Sequence, residues 1–227
     1  VTEKPRHDRK DDISPELLWN ALGMFQQLIM FTLMLIVYVV ISLIVSRSLT
    51  PHEGLSAWMN SLQSLFVSKH IVKDLALGAG AGVAAVLVTT VLDTLIAIIS
   101  RADLKEWFHR TDYLLPETKK QKQWAWIISL SGSIQEEIMF RGFILMAILP
   151  LWSHWLWAAL ILSAFFSLLH AGIQGFWSTF WIFLISVFLC ALIALGASIY
   201  VVMTAHIMIN VFNLFVVPRF FHKEMKK

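Results

Sequence analysis

The sequence predicts an all-α, polytopic membrane bundle of about six transmembrane helices with both termini cytoplasmic. Three observations carry that expectation. Hydrophobic residues make up 58% of the 227 and charged residues 15%, whereas a soluble domain is about half apolar and a quarter charged. The apolar residues, which raise the mean hydropathy to +0.70, gather into runs of about 20, enough to cross a hydrocarbon core of about 30 Å. Finally, Lys and Arg are distributed unequally among the connections between those runs.

The first element is a polar cytoplasmic segment, residues 1–22. The first two spans and their extramembrane loops occupy 23–123. One runs uncharged from Met24 to Val45, and the other, Leu75 to Ile99, is interrupted only by Asp93. Asp93 reads as a helix-end carboxylate, hydrogen-bonded to neighbours or reaching water. Between these spans, Gly54 to His70 places Leu55, Trp58, Leu62, Leu65 and Phe66 at roughly helical spacing, which suits either an interfacial helix or an ordinary loop. Residues 124–217 form a four-helix core. Its spans are Trp124 to Leu149, Leu151 to Leu169 (ending at "HAGIQG"), and two more separated by a turn at Leu195–Ser198. Residues 218–227 are a basic cytoplasmic tail.

This order puts fourteen Lys or Arg on the cytoplasmic side and three (Arg47, Lys69, Lys73) outside, as the positive-inside rule requires. The same distribution explains the pI near 9.1 without nucleic acid, and places the chain as a multi-pass protein of the cell membrane. Trp152, Trp155, Trp177 and Trp181 fall near span ends, where aromatic side chains meet the interface. "GAGAG", Gly78 to Gly82, is not followed by Gly-Lys-Ser/Thr, so it reads as a close helix-packing surface and not as a phosphate loop. The one cysteine, Cys190, excludes a disulfide framework and a cysteine-based metal site within this sequence.

Ionisable groups at bilayer depth cost several kcal/mol unless paired or hydrated, which directs attention to "SIQEEIMFRGF", Ser133 to Phe143. Glu137 and Arg141, at i and i+4, can neutralise each other. Glu136 is rotated by about 100°, and the helix offers it no basic residue at that spacing. A carboxylate so placed suits a general base; the structural alternative is that both glutamates brace Arg141. Two further helical pairs sit in later spans: Phe166 with His170, and His206 with Asn210. Convergence of two histidines, an amide donor and a glutamate in one bundle points to a site. Counting residues from the span ends leaves His170 about 10 Å nearer the cytoplasm than the others.

The three motifs, Glu136-Glu137-x-x-x-Arg141, Phe166-x-x-x-His170 and His206-x-x-x-Asn210, resemble those of the CAAX protease and bacteriocin-processing (Abi) family of type II CAAX prenyl endopeptidases. The resemblance covers roughly Trp124 to Val217. It implies an intramembrane endopeptidase acting on a peptide or membrane-associated protein within the lipid bilayer. By motif position, Glu136 and His170 would activate water, and His206 and Asn210 would stabilise the oxyanion. Glu137 and Arg141 would support the site, and Phe166 would shape it. The expected chemistry is metal-free. The alternative is a zinc site built from Glu136, His170 and His206, although no His-Glu-x-x-His occurs. Two other functions stay open: a non-catalytic immunity or scaffold protein, and a proton- or ion-coupled transporter, the latter weakened by the lack of repeat symmetry.

Overall fold

A computed structural model of the chain describes residues 62–103, 107, 115–149 and 154–221, with isolated positions between 28 and 60. The described residues form an all-α membrane bundle, with no strand among them. Among the described residues, three stretches are long and apolar enough to cross a membrane: Ile71–Ile99, Trp177–Ala194 and Ile199–Phe220. Most of the span expected at Met24 to Val45 lies outside the described residues; the positions described within it are helical.

Helix α1, Ile71–Ile99, is apolar around its whole circumference. Val72, Leu87 and Ile99 are among its many exposed side chains, a surface suited to lipid rather than water. Its buried face is narrow and includes Gly78 and Gly82. A Cβ on Gly78 would lie 2.7 Å from Cβ of Thr204, and one on Gly82 would lie 2.8 Å from Cβ of Met208. Both would also press on the backbone carbonyls of Val201 and Ala205, while one on Gly80 would meet nothing. The glycines therefore let the backbone of the last helix approach α1 directly.

Helix α2, residues 119–148, carries the Glu-Glu motif. It starts five residues before the expected Trp124 because Thr118 and Gln121 form a capping box. The Thr118 hydroxyl accepts from Gln121 N at 3.1 Å, and Gln121 Oε1 accepts from Thr118 N at 2.9 Å. Reciprocal capping lets a polar turn join the helix although hydropathy does not mark it. Along α2, α-helix alternates with π-helix at Ile128–Gly132 and Ile138–Leu145, leaving Ser133–Glu137 as a short α-helical stretch between them. Such widened turns concentrate at functional sites.

Helix α3, Trp155–Ala194, remains helical through "HAGIQG", where a break was expected. It nevertheless folds back on itself. Ser163 Oγ and Cys190 Sγ are 4.0 Å apart, whereas 27 residues of straight helix would separate them by about 40 Å. Its arms, residues 155–171 and 177–194, therefore run in opposite directions, as two successive spans would. The turn expected at Leu195–Ser198 follows, with Gly196 at φ 89°. Helix α4, residues 199–221, is α-helical over Ile199–Val211, π-helical over Phe212–Val216, and α-helical again over Val217–Phe221.

Helices α1 and α4 are parallel, since Gly78 faces Val201 and Gly82 faces Ala205. Ser198 Oγ donates to Asp74 Oδ2 at 2.6 Å at their shared end. Toward the other end of α1, Trp181 Nε1 donates to Asp93 Oδ1 at 3.1 Å, so Asp93 is the hydrogen-bonded carboxylate expected. Trp181 thus serves as a helix tie. Residues 62–65 are helical and Leu65 enters the core. Tyr200 donates to the Phe66 carbonyl at 3.3 Å, so this end of the segment packs on the bundle. At the centre, Phe140, Leu145, Leu162, Phe166, Leu189 and Val202 join α2, both arms of α3, and α4.

Close backbone approach makes the glycines position-specific. Gly78→Leu and Gly82→Leu should each lower the thermal midpoint in detergent, through overpacking of about 1–3 kcal/mol or more. Gly80→Leu should leave it unchanged. Equal effects at all three positions would contradict the parallel α1–α4 contact.

Candidate active site

The site is built where α2 meets α4. Residues four apart share a helix face, and on each helix such a pair faces the other. Glu137 meets His206, and Ser133 meets Asn210. Glu137 Oε1 and His206 Nδ1 are 2.7 Å apart, and Asn210 Nδ2 donates to Ser133 Oγ at 3.0 Å. These are successive rungs between antiparallel helices. The opposite face of α4 is the one seated on the α1 glycines.

Below the His206 rung, Arg141 Nη1 donates to the same Glu137 oxygen at 3.0 Å. Its Nη2 reaches Ser186 on the second arm of α3, at 2.7 Å to Oγ and 3.2 Å to the backbone carbonyl. The guanidinium carbon also lies 5.0 Å from the Phe166 ring centre, on the first arm. Both Glu137 and Arg141 are wholly buried. An unpaired charge at that depth would be costly, so Arg141 can lie there only with this set of partners. It holds α2 and both arms of α3 in register. Glu137 Oε2 and Arg141 Nε make no hydrogen bond to a described residue, so the hydrogen bonds of the pair run through Glu137 Oε1 and the two Arg141 Nη atoms.

The structure extends the sequence reading of Glu137. As the carboxylate partner of Arg141 it accepts from His206, so the His206 hydrogen is on Nδ1 and the ring orientation is fixed. Nε2 then faces Glu136, whose Oε2 is 3.8 Å away. Glu136 is not on the Arg141 side of the helix, as the 100° rotation requires, yet it is not isolated: His206 stands across from it. Glu136 and His206 are 9% and 8% exposed, enough to place both at the edge of the core.

His170 Nδ1 is 2.9 Å from the Phe166 carbonyl. A carbonyl only accepts, so that nitrogen carries the hydrogen, and neutral His170 presents Nε2 as an acceptor. The Phe166 ring packs against His170 at 4.7 Å between centres and against His206 at 6.3 Å. One aromatic ring therefore touches both imidazoles. Phe166 is 5% exposed, and its edge-on contact with Phe140 at 4.8 Å fixes it as the packing centre of the site.

Among the described residues, no three His, Cys, Asp or Glu side chains are grouped so as to hold one metal ion. Glu136, His170 and His206 do not fit a zinc ion as they stand. Two residues of this site were absent from the sequence reading. Ser133 and Ser186 are isolated serines in apolar helices, with partners 77 and 45 residues away. The only local signal was that Ser133, Glu137 and Arg141 recur every fourth residue.

The family model described as type II CAAX prenyl endopeptidase Rce1-like matches residues 118–212. That region, less than half of the chain, is similar to the Rce1-like family. The match begins at the α2 cap, ends just after Asn210, and spans all three motifs. The Rce1-like family is one of CAAX-type membrane proteases. No curated protein and no solved structure matches the chain.

The buried network makes stability sensitive to either end of the ion pair. Arg141→Met should cost about 3–5 kcal/mol, because Glu137 stays buried without its main partner. Ser186→Ala should cost less, about 1.5–3 kcal/mol for one hydrogen bond to a charged group. Thermal midpoints in one detergent should fall in the order wild type, Ser186→Ala, Arg141→Met. An unchanged midpoint for Arg141→Met would contradict the brace.

Proposed function

We propose that the chain is a multi-pass intramembrane endopeptidase of the cell membrane, with cytoplasmic termini, that cleaves a peptide or membrane-associated protein. The observation that supports it best is the separation of two adjacent glutamates: Glu137 is committed to Arg141 and His206, while Glu136 faces the outer nitrogen of His206.

Two atoms 3.8 Å apart can both lie within hydrogen-bond distance of one water oxygen. In this reading Glu136, assisted by the acceptor Nε2 of His170, takes a proton from that water. The resulting hydroxide attacks the scissile carbonyl, and the carbonyl oxygen becomes an oxyanion. Asn210 donates to it, as does His206 Nε2 when both ring nitrogens carry hydrogen. Collapse breaks the C–N bond, and Glu136 passes its proton to the departing amine. Phe166 keeps the imidazoles apart and excludes water from the Arg141 side.

The test is Glu136→Gln in lipid nanodiscs, with a quenched-peptide library that includes farnesylated peptides ending in Cys-aliphatic-aliphatic-X. Cleavage should fall by about 10²–10⁴-fold. A folded variant that cleaves as wild type does would refute the assignment, and a wild type that cleaves no peptide would favour a non-catalytic protein. Cleavage should also survive exhaustive chelation; loss restored by zinc would replace this mechanism with a metal-dependent one.

A further inference from the structure

We propose that Ser133 is a positioning residue for the reaction, holding the Asn210 amide so that its second N–H faces the oxyanion. The inference rests on the reading of Asn210 as an oxyanion donor.

Ser133 is 1% exposed and begins the short α-helical stretch that ends at Glu137. Its hydroxyl accepts from Asn210 Nδ2 at 3.0 Å. A primary amide nitrogen has two hydrogens, so committing one to Ser133 leaves one for a ligand. With the Ser133 oxygen as acceptor, the contact sets the plane of the amide and the direction of its second N–H. Half a turn about the last side-chain bond would exchange donor for acceptor and aim the carbonyl oxygen at a developing negative charge. A fixed donor needs no reorganisation when that charge forms, which is why such donors act strongly in dry sites.

The register strengthens the inference. Ser133–Asn210 lies four residues from Glu137–His206 on both helices. Two residues of α2 therefore set the two donors of α4 in one frame. Glu137 fixes the imidazole as Ser133 fixes the amide. Because Ser133 touches the donor and not the reacting atoms, its effect should pass through Asn210 alone.

That dependence defines the experiment, a double-mutant cycle using the library peptide that wild type cleaves fastest. Ser133→Ala should lower kcat about tenfold with little change in KM, a part of the 10²–10³-fold typical of losing one oxyanion donor. Ser133→Thr, which keeps the hydroxyl, should retain most of the rate. In an Asn210→Ala background, Ser133→Ala should cause no further loss. If Ser133→Ala does not fold, Ser133→Cys takes its place in the cycle, being similar in size and a weak acceptor. Equal fold-losses in both backgrounds would overturn the proposal, as would a normal kcat for Ser133→Ala alongside an impaired Asn210→Ala. A normal kcat for Asn210→Ala would instead overturn the oxyanion reading, as would a wild type that cleaves nothing, and Ser133's role would fall with it.

Discussion

A guanidinium with no access to solvent governs this bundle. Arg141 is wholly buried, and its charge is met by Glu137 on its own helix, by Ser186 on one arm of α3, and by the Phe166 face on the other. Such a charge is tolerated only where its partners are held in place. Those partners come from three stretches of helix, so satisfying Arg141 amounts to assembling them. The interaction is structural in origin, but it also fixes the carboxylate that orients His206.

From that anchor the site is a matter of helical repeat. Ser133, Glu137 and Arg141 run down one face of α2, and His206 and Asn210 run along the facing side of α4. Their pairing brings a carboxylate to an imidazole and a hydroxyl to an amide. The reverse side of α4 rests against Gly78 and Gly82 of α1. Glu136, rotated out of the Arg141 stripe, is the carboxylate left to face the edge of the core.

Much of this was legible in the sequence because it depends on short-range spacing. The Glu137–Arg141 pair, the separation of Glu136 from it, and the use of Gly78 and Gly82 for packing all follow from residues four apart on one helix. The membrane class followed from hydropathy. Features that depend on distant partners were not legible. A lone serine such as Ser133 or Ser186 looks ordinary in an apolar helix until the residue opposite it is known. The second contact of Glu137, to His206, was hidden in the same way. The start of α2 was missed because a capping box beside lysines contributes no hydropathy. "HAGIQG" suggested a break, yet the chain reverses direction there with its backbone still helical.

The central claim is a division of labour between two adjacent glutamates, and a change to glutamine removes the charge of each with little change in shape. Thermal midpoints of Glu136→Gln and Glu137→Gln, measured side by side in one lipid environment, test it without any substrate. The account expects Glu137→Gln to melt well below wild type, because Arg141 and His206 lose their shared carboxylate, and Glu136→Gln to melt close to wild type. Equal losses of stability, or a larger loss for Glu136→Gln, would contradict it.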